Sequence, residues 1–589
     1  MGDPGEMMDP VTNPKLKREL REYGKRGRTD GPYADNLEVD ALVVGGGFAG
    51  VFMFYTLRKA GLKTVMYEAG TDLGGTWRWN CYPGAMVDSE VPEYQLSIPE
   101  TWKTYNWPNN YPGYKELRDY FDHCDKVLDI KSQTAFESVV TDAHFNTEEG
   151  RWSVKTADGR TAKTKYLVIC AGFAAKRYVR RTDQWSLSAL FSDSLTSLKV
   201  PPWDGIDKFK GIVHHSSFWP DEEIDVTGKR CGIIGTGASG VQITQAWGPK
   251  AAHLKVFQRT PNLTVPMRLR KLSAEEQEEA KRWYPELFDL RERCFGGFVY
   301  DFCERSTFED SEEEREKFFE KLWADGGFRY WLGNYKDYLF DAKANRVVYD
   351  FWAKKQRARI NDPAKRDILA PLEPPHPWGV KRPCLEHSYF EQYNRDNVEP
   401  VSLKGRTIEC FNETGIKLSD GSQHDFDIIC IATGFDVVTG GMTAMGLHSI
   451  NGESLESQWK KSAHTYLGTT VSGYPNQFHI YGPQGPTLLS NGPTSVEVQG
   501  RWIADVIKKC ETEGIKYINP TDEASKEWKK RINYLSELTL MPTTKSTYMG
   551  GSDPNKAFEQ TCYAGGLYAY GREIRAVLPD LKGFDIVKN

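Results

Sequence analysis

The chain has 589 residues, which at about 150 per domain gives roughly three to four domain-sized units, each able to bury a core. Charge is nearly balanced, 76 Lys+Arg against 81 Asp+Glu for a net of −5, which argues against nucleic acid as a partner. No run reaches the about 18 apolar residues of a membrane span, no secretory apolar core follows Met1, and the 11 cysteines lack paired CxxC spacing. A cytoplasmic protein with no disulfide framework and no structural zinc is therefore expected.

Residues 1–38 are charged and rich in Pro and Gly, and read as an extension in which Lys15 to Arg26 makes a short solvated basic helix. Order begins at Asp40-Ala-Leu-Val-Val44, a β-branched run that stops in glycine; a helix follows from Phe48, then a strand at Thr64 to Tyr67. A second strand, turn, helix, strand unit spans Cys231 to Phe257, with its helix running through Trp247. Between Arg270 and Trp378 the aromatics fall at helical spacing and read as core, while Ser273-Ala-Glu-Glu276 and Ser311-Glu-Glu-Glu314 have the form of capping boxes. Strand character returns from Phe426 to Ala432, and a mixed region runs to the end.

Each unit carries a GxGxxG signature: Gly45, Gly47 and Gly50 in the first, Gly235, Gly237 and Gly240 (with Thr236 and Ser239 between them) in the second. Such glycines permit a tight turn, close approach of a pyrophosphate, and packing of helix on strand. Glu68 ends the second strand of the first unit, where a carboxylate accepts hydrogen bonds from a ribose. The second unit has Arg259 and Thr260 there instead, a cation suited to the 2′-phosphate of NADPH. FAD in the first site and NADPH in the second make the chain a carrier of electrons from nicotinamide to flavin. A disulfide reductase is excluded, because Cys81 stands alone after the first unit.

Three further motifs resemble those of the type I Baeyer–Villiger monooxygenases. The first is Gly75-Thr76-Trp77, then Tyr82-Pro83-Gly84, then Asp88; the second is Phe209, Gly211, His215, Trp219 and Pro220 in FKGIVHHSSFWP; the third is Lys381-Arg382. Resemblance extends over nearly the whole ordered chain, including Thr433-Gly434-Phe435 and Tyr466-Leu-Gly468. It implies an α/β fold of two Rossmann-like domains, the NADP domain carrying a helical insertion. The expected boundaries are 39–180 for the first part of the FAD domain, 181–207 for an insertion or linker, and 208–266 for the first part of the NADP domain. The helical insertion then covers 267–378, the rest of the NADP domain 379–432, and the rest of the FAD domain 433–589.

The implied reaction uses O₂ and a C4a-peroxyflavin to convert a small-molecule ketone to an ester or lactone. By the same resemblance Arg382 stabilises the negative charge of that chemistry, Asp88 orients Arg382, and Lys381 supplements Arg259 at the 2′-phosphate. His215 and Trp219 order a hinge, and His215 is not assigned as an acid or base. An N- or S-oxidising flavin monooxygenase and a poorly coupled NADPH oxidase or non-catalytic flavoprotein are the alternatives. Two departures stand out: Thr547, where the family carries a Trp, and an insertion from Arg180 to Leu198.

Overall fold

The computed structural model describes residues 30–172, 203–434, 438–550 and 556–589. The extension helix expected at Lys15 to Arg26, the insertion at Arg180 to Leu198 and Phe435 lie outside these residues.

Two sheets organise the chain, the first mixed around a parallel centre and the second wholly parallel. In the first, strand Leu37–Val44 lies between Thr64–Tyr67 and Thr161–Ile169, both parallel to it, and the helix Phe48–Lys59 makes the crossover. The apolar run Ala41 to Val43 is wholly buried, as a strand covered on both faces must be. Strand Thr161–Ile169 is shared: its first half pairs with Arg151–Thr156 antiparallel, and its last three residues pair with Gln477–His479 in parallel. The C-terminal part of the chain thus returns to the first sheet after the second has been completed.

The second sheet runs in the order Val398–Ser402, His253–Gln258, Arg230–Ile234, Ile428–Ile431, Ile212–His215, all parallel. Strand Val398–Ser402 carries no clear apolar pattern, since Glu399 and Pro400 interrupt it. It sits at the sheet's edge, the place where a strand tolerates a residue with no N–H to donate.

Between these strands comes the helical insertion, including Ala274–Ala280, Tyr284–Arg293, Glu312–Asp325, Arg329–Leu332 and Ala342–Arg357. Ser273 caps the first of these through the Glu276 amide, and Ser311 and Glu314 form a reciprocal capping box on the third. The insertion's aromatics, among them Phe319, Tyr330, Phe351 and Trp378, are buried against one another, so their helical spacing does reflect core. They belong to one continuous apolar cluster with the helix Phe48–Lys59 and with the long helix Gly492–Thr512. Gly500 lets those two helices approach, since a Cβ there would meet the Phe52 ring at 2.7 Å.

Buried charge fastens the insertion to the rest. Arg291 and Glu497, both fully buried, pair at 3.1 Å. Nearby, burial pushes the Glu93 carboxyl up to about 8, with Glu90 adding to the rise and Arg329 opposing it. A carboxyl raised by folding holds its proton more tightly in the folded chain. Its stability contribution is therefore full below the ordinary carboxylate range and is lost as pH climbs through about 8. Glu93→Gln is expected to remove that loss, so that thermal melts from about pH 5 to about pH 9 fall less steeply than for the parent.

Candidate active site between two glycine turns

The first turn is steric necessity. Gly45 adopts φ +111°, and a Cβ on Gly50 would lie 1.7 Å from the Gly45 carbonyl oxygen. Gly47, at the N-cap of helix Phe48–Lys59, offers no side chain to the helix's first amides, which leaves them for an anion. Gly75 packs on Gly47 so closely that a Cβ on Gly75 would stand 2.8 Å from the Gly47 Cα. This contact joins the glycine turn to Thr76 and Trp77. Glu68 is buried and accepts hydrogen bonds from the amides of Gly46 and Gly70; burial raises its carboxyl and those bonds oppose the rise.

The second turn repeats the design. Gly235 again has φ +111°, and a Cβ on Gly240 would lie 2.1 Å from the Gly235 carbonyl oxygen. Gly237 provides no side-chain cap to helix Ala238–Trp247, and nothing lies within 4 Å of where its Cβ would be. Around this turn opens a cavity of about 1480 Å³, lined by Thr236, Ser239, Arg259, Thr260, Lys381, Arg382, Thr76, Trp77 and Asp88 among others. Gly45, Gly47, Gly50 and Glu68 lie outside that lining.

Neither Arg259 nor Lys381 has an acidic partner within 4.0 Å among the described residues. Burial, and then the charge of Arg259, lower the Lys381 ammonium. Two cations brought together without a counter-charge suit a phosphate dianion. Thr260, next to Arg259, is tied to the second glycine turn by accepting, at its carbonyl, a 2.9 Å bond from the Thr236 hydroxyl. Asn262, a residue without a motif, adds a 2.8 Å bond to the Thr236 carbonyl. The donor sets of both turns therefore fit dinucleotides.

Tyr82 ties the two halves together. Its phenol, pushed up to about 12 by burial, donates to Gln242 of the second glycine helix at 2.9 Å, and Gln242 donates to the Met86 carbonyl at 3.0 Å. Two residues further on, Asp88 meets Arg382 in a two-pronged pair: Nε donates to Oδ2 at 2.8 Å and Nη2 to Oδ1 at 3.0 Å. Nη1 donates to the carbonyls of Leu488 at 3.1 Å and Ser490 at 3.5 Å. Burial alone would lower the guanidinium, but the Asp88 charge and hydrogen bonds more than reverse that, so Arg382 stays cationic.

The FxGxxxHxxxWP residues do not line this cavity. Phe209 is in the core of the second sheet, and Gly211 is obligatory because a Cβ would strike the Phe209 ring and the Asp427 carbonyl, each at 2.5 Å. His215 ends strand Ile212–His215, fully buried, with Nδ1 accepting from the Ser217 amide at 3.1 Å. Trp219 packs on His214 and Trp247, while its carbonyl and that of Pro220 face the Cys81 thiol. Thr547 lines the large cavity from a short turn, and its neighbour Tyr548, buried, donates to the Leu488 carbonyl that Arg382 also uses. Tyr481 shares the Ser490 carbonyl in the same way. Neither tyrosine nor the two carbonyls carries a sequence motif.

Residues 39–282 match the pyridine nucleotide-disulphide oxidoreductase family. All eleven cysteines are free, so no redox disulfide accompanies that likeness. The chain is 54% identical to the FAD-binding monooxygenase acrE of Aspergillus aculeatus over 97% of this chain and 93% of that protein. It is 40% identical to the cyclopentanone 1,2-monooxygenase of a Comamonas species over 91% and 93%. Cyclohexanone monooxygenase from Rhodococcus sp. Phi1, solved with NADP⁺, superposes with a TM-score of 0.86 at 31% identity, covering 94% of this chain and all of that one. The chain belongs to the Baeyer–Villiger monooxygenase family.

Baeyer–Villiger monooxygenases of this kind use FAD and NADPH to convert ketones to esters or lactones, and this chain is one of them. Among the described residues no helix is long and apolar enough to cross a membrane.

Proposed function

We propose that Arg382, oriented by Asp88, is the catalytic residue of ketone oxidation in this chain, and that cyclic ketones are its substrate class. The observation that carries this reading is the two-pronged Arg382–Asp88 pair, set in a cavity whose lining also holds the second glycine turn and the Gly75-Thr76-Trp77 fingerprint. Held at the first glycine turn, FAD would supply the redox chemistry, hydride acceptance from NADPH and activation of O₂. Arg382 presents a permanent positive charge where negative charge develops on oxygen, and does so without reorganising at that moment. Asp88 fixes the guanidinium's edge. The apolar part of the lining, which includes Val438, Trp459 and Leu488, keeps water from competing with the ketone. Thr547, small where a tryptophan would narrow the cavity, leaves room for a bulky ring. Incubating the purified enzyme with NADPH, O₂ and a panel of cyclic ketones, followed by product analysis, tests the reading; conversion of sulfides with no lactone from any ketone would refute it.

Arg259 and Lys381 bind the 2′-phosphate in this account. Arg259→Ala is expected to raise KM for NADPH at least about tenfold while changing KM for NADH less than about twofold, since one charge-assisted contact contributes about 1.5–3 kcal/mol. Equal effects on both cofactors would remove the assignment.

A further inference from the structure

Hydrogen bonds hold Arg382 only in the plane of its guanidinium. Asp88, Leu488 and Ser490 all accept from N–H groups in the guanidinium plane, and such in-plane bonds leave its two faces open, so that rocking out of the plane is the motion they resist least. The helical insertion closes that freedom. The guanidinium carbon lies 4.7 Å from the centroid of the Phe328 ring and 5.6 Å from that of Trp331. Both rings are buried, and they meet edge to face at 5.2 Å and 72°, making a corner whose faces carry negative charge density towards the cation.

The corner is itself bolted to both members of the pair. Arg329, the residue after Phe328, bonds Glu90 at 2.7 Å and stacks on Tyr300 at 4.6 Å, which ties the insertion to the segment carrying Asp88. Trp331 donates from Nε1 to the Gly379 carbonyl at 3.2 Å, which ties it to the segment carrying Arg382. Gly379 has φ +79°, and a Cβ there would come 3.1 Å from the indole and 2.9 Å from the Tyr338 hydroxyl, so a side chain at 379 would be strained and would crowd this approach. Helix Arg329–Leu332 thus sets the distance between the two rings and the two charged side chains at once.

We propose that Phe328 and Trp331 are positioning residues that fix the tilt of the Arg382 guanidinium against Asp88. The functional consequence rests on the reading of Arg382 as the catalytic residue; the geometric one does not. A leucine at either position fills most of the space but offers no charge density to a cation. A tyrosine at 328, or a phenylalanine at 331, keeps the aromatic face. Leu and Phe at 331 lose the Nε1–H bond equally, so their comparison isolates the ring.

The test uses FAD-loaded protein. For Phe328→Leu, ester formed per NADPH consumed is expected to fall about 5- to 30-fold, the factor equivalent to about 1–2 kcal/mol for a desolvated cation–π contact. Anaerobic bleaching of the flavin by NADPH stays within about twofold of the parent, since neither ring carries hydride. Phe328→Tyr restores coupling to within about threefold. A crystal structure of Phe328→Leu shows the guanidinium turned out of its two-pronged geometry, and that of Phe328→Tyr shows it in place. If the Leu and Tyr variants couple equally and the guanidinium keeps its position in both, the proposal is overturned; if both fail equally, the ring is only filler and it is overturned too. Should Phe328→Leu not fold, the Trp331→Leu and Trp331→Phe pair is read by the same criteria. Ketone turnover by Arg382→Ala would end the catalytic reading alone, and the crystallographic position of Arg382 would still decide the positioning.

Discussion

Arg382→Ala gives a protein that binds FAD and is reduced by NADPH, yet forms ester at least about a thousandfold more slowly than the parent, the upper range for removal of one preorganised electrostatic donor. Oxygen is still consumed, and hydrogen peroxide replaces the ester. Arg382→Lys does not rescue, because a compact ammonium cannot reach the two carboxylate oxygens and two carbonyls that the three spread nitrogens of a guanidinium serve. Steady-state product analysis beside anaerobic reduction separates these outcomes. Ester formed at the parental rate by Arg382→Ala would sink the assignment.

Gly50→Ala yields a colourless protein. Its Cβ would fall 1.7 Å from the Gly45 carbonyl oxygen, a backbone atom that cannot give way without breaking the turn. FAD affinity is expected to drop at least about a hundredfold, roughly 2.7 kcal/mol, read as the ratio of flavin to protein absorbance after gel filtration. Gly237→Ala provides the contrast. No atom lies within 4 Å of its added methyl, so folding and flavin content stay intact, and only NADPH binding weakens as the methyl enters the space left for phosphate.

What could be read from sequence follows from what leaves a mark on it. Positions such as Gly45, Gly50, Gly235 and Gly240 allow no Cβ, so the backbone's demands are written directly as residue identity. The second half of strand Leu37–Val44 shows for a similar reason: burial on both faces leaves Ala41 to Val44 an unbroken apolar run. Strand Val398–Ser402 did not show, because an edge position tolerates Glu399 and Pro400. Asp88 and Arg382, distant in sequence, were joined only through family resemblance, since neither residue type is distinctive alone. The carbonyls of Leu488 and Ser490 are backbone groups and leave no trace at all. Phe328 and Trp331 were hidden differently. Aromatics at helical spacing signify core, and these are core; nothing in that spacing says that one face of the core is a cation.

The strand Gln477–His479 completes a sheet that began at Leu37. A ribosome releases Leu167–Ile169 long before it makes their partner, and the entire second sheet and the insertion emerge in between. The nascent chain therefore carries an open parallel edge through most of its synthesis, the kind of surface that templates aggregation. Truncations ending before residue 477 are expected in inclusion bodies, and slower translation gains little, because the missing partner is set by chain order rather than by time.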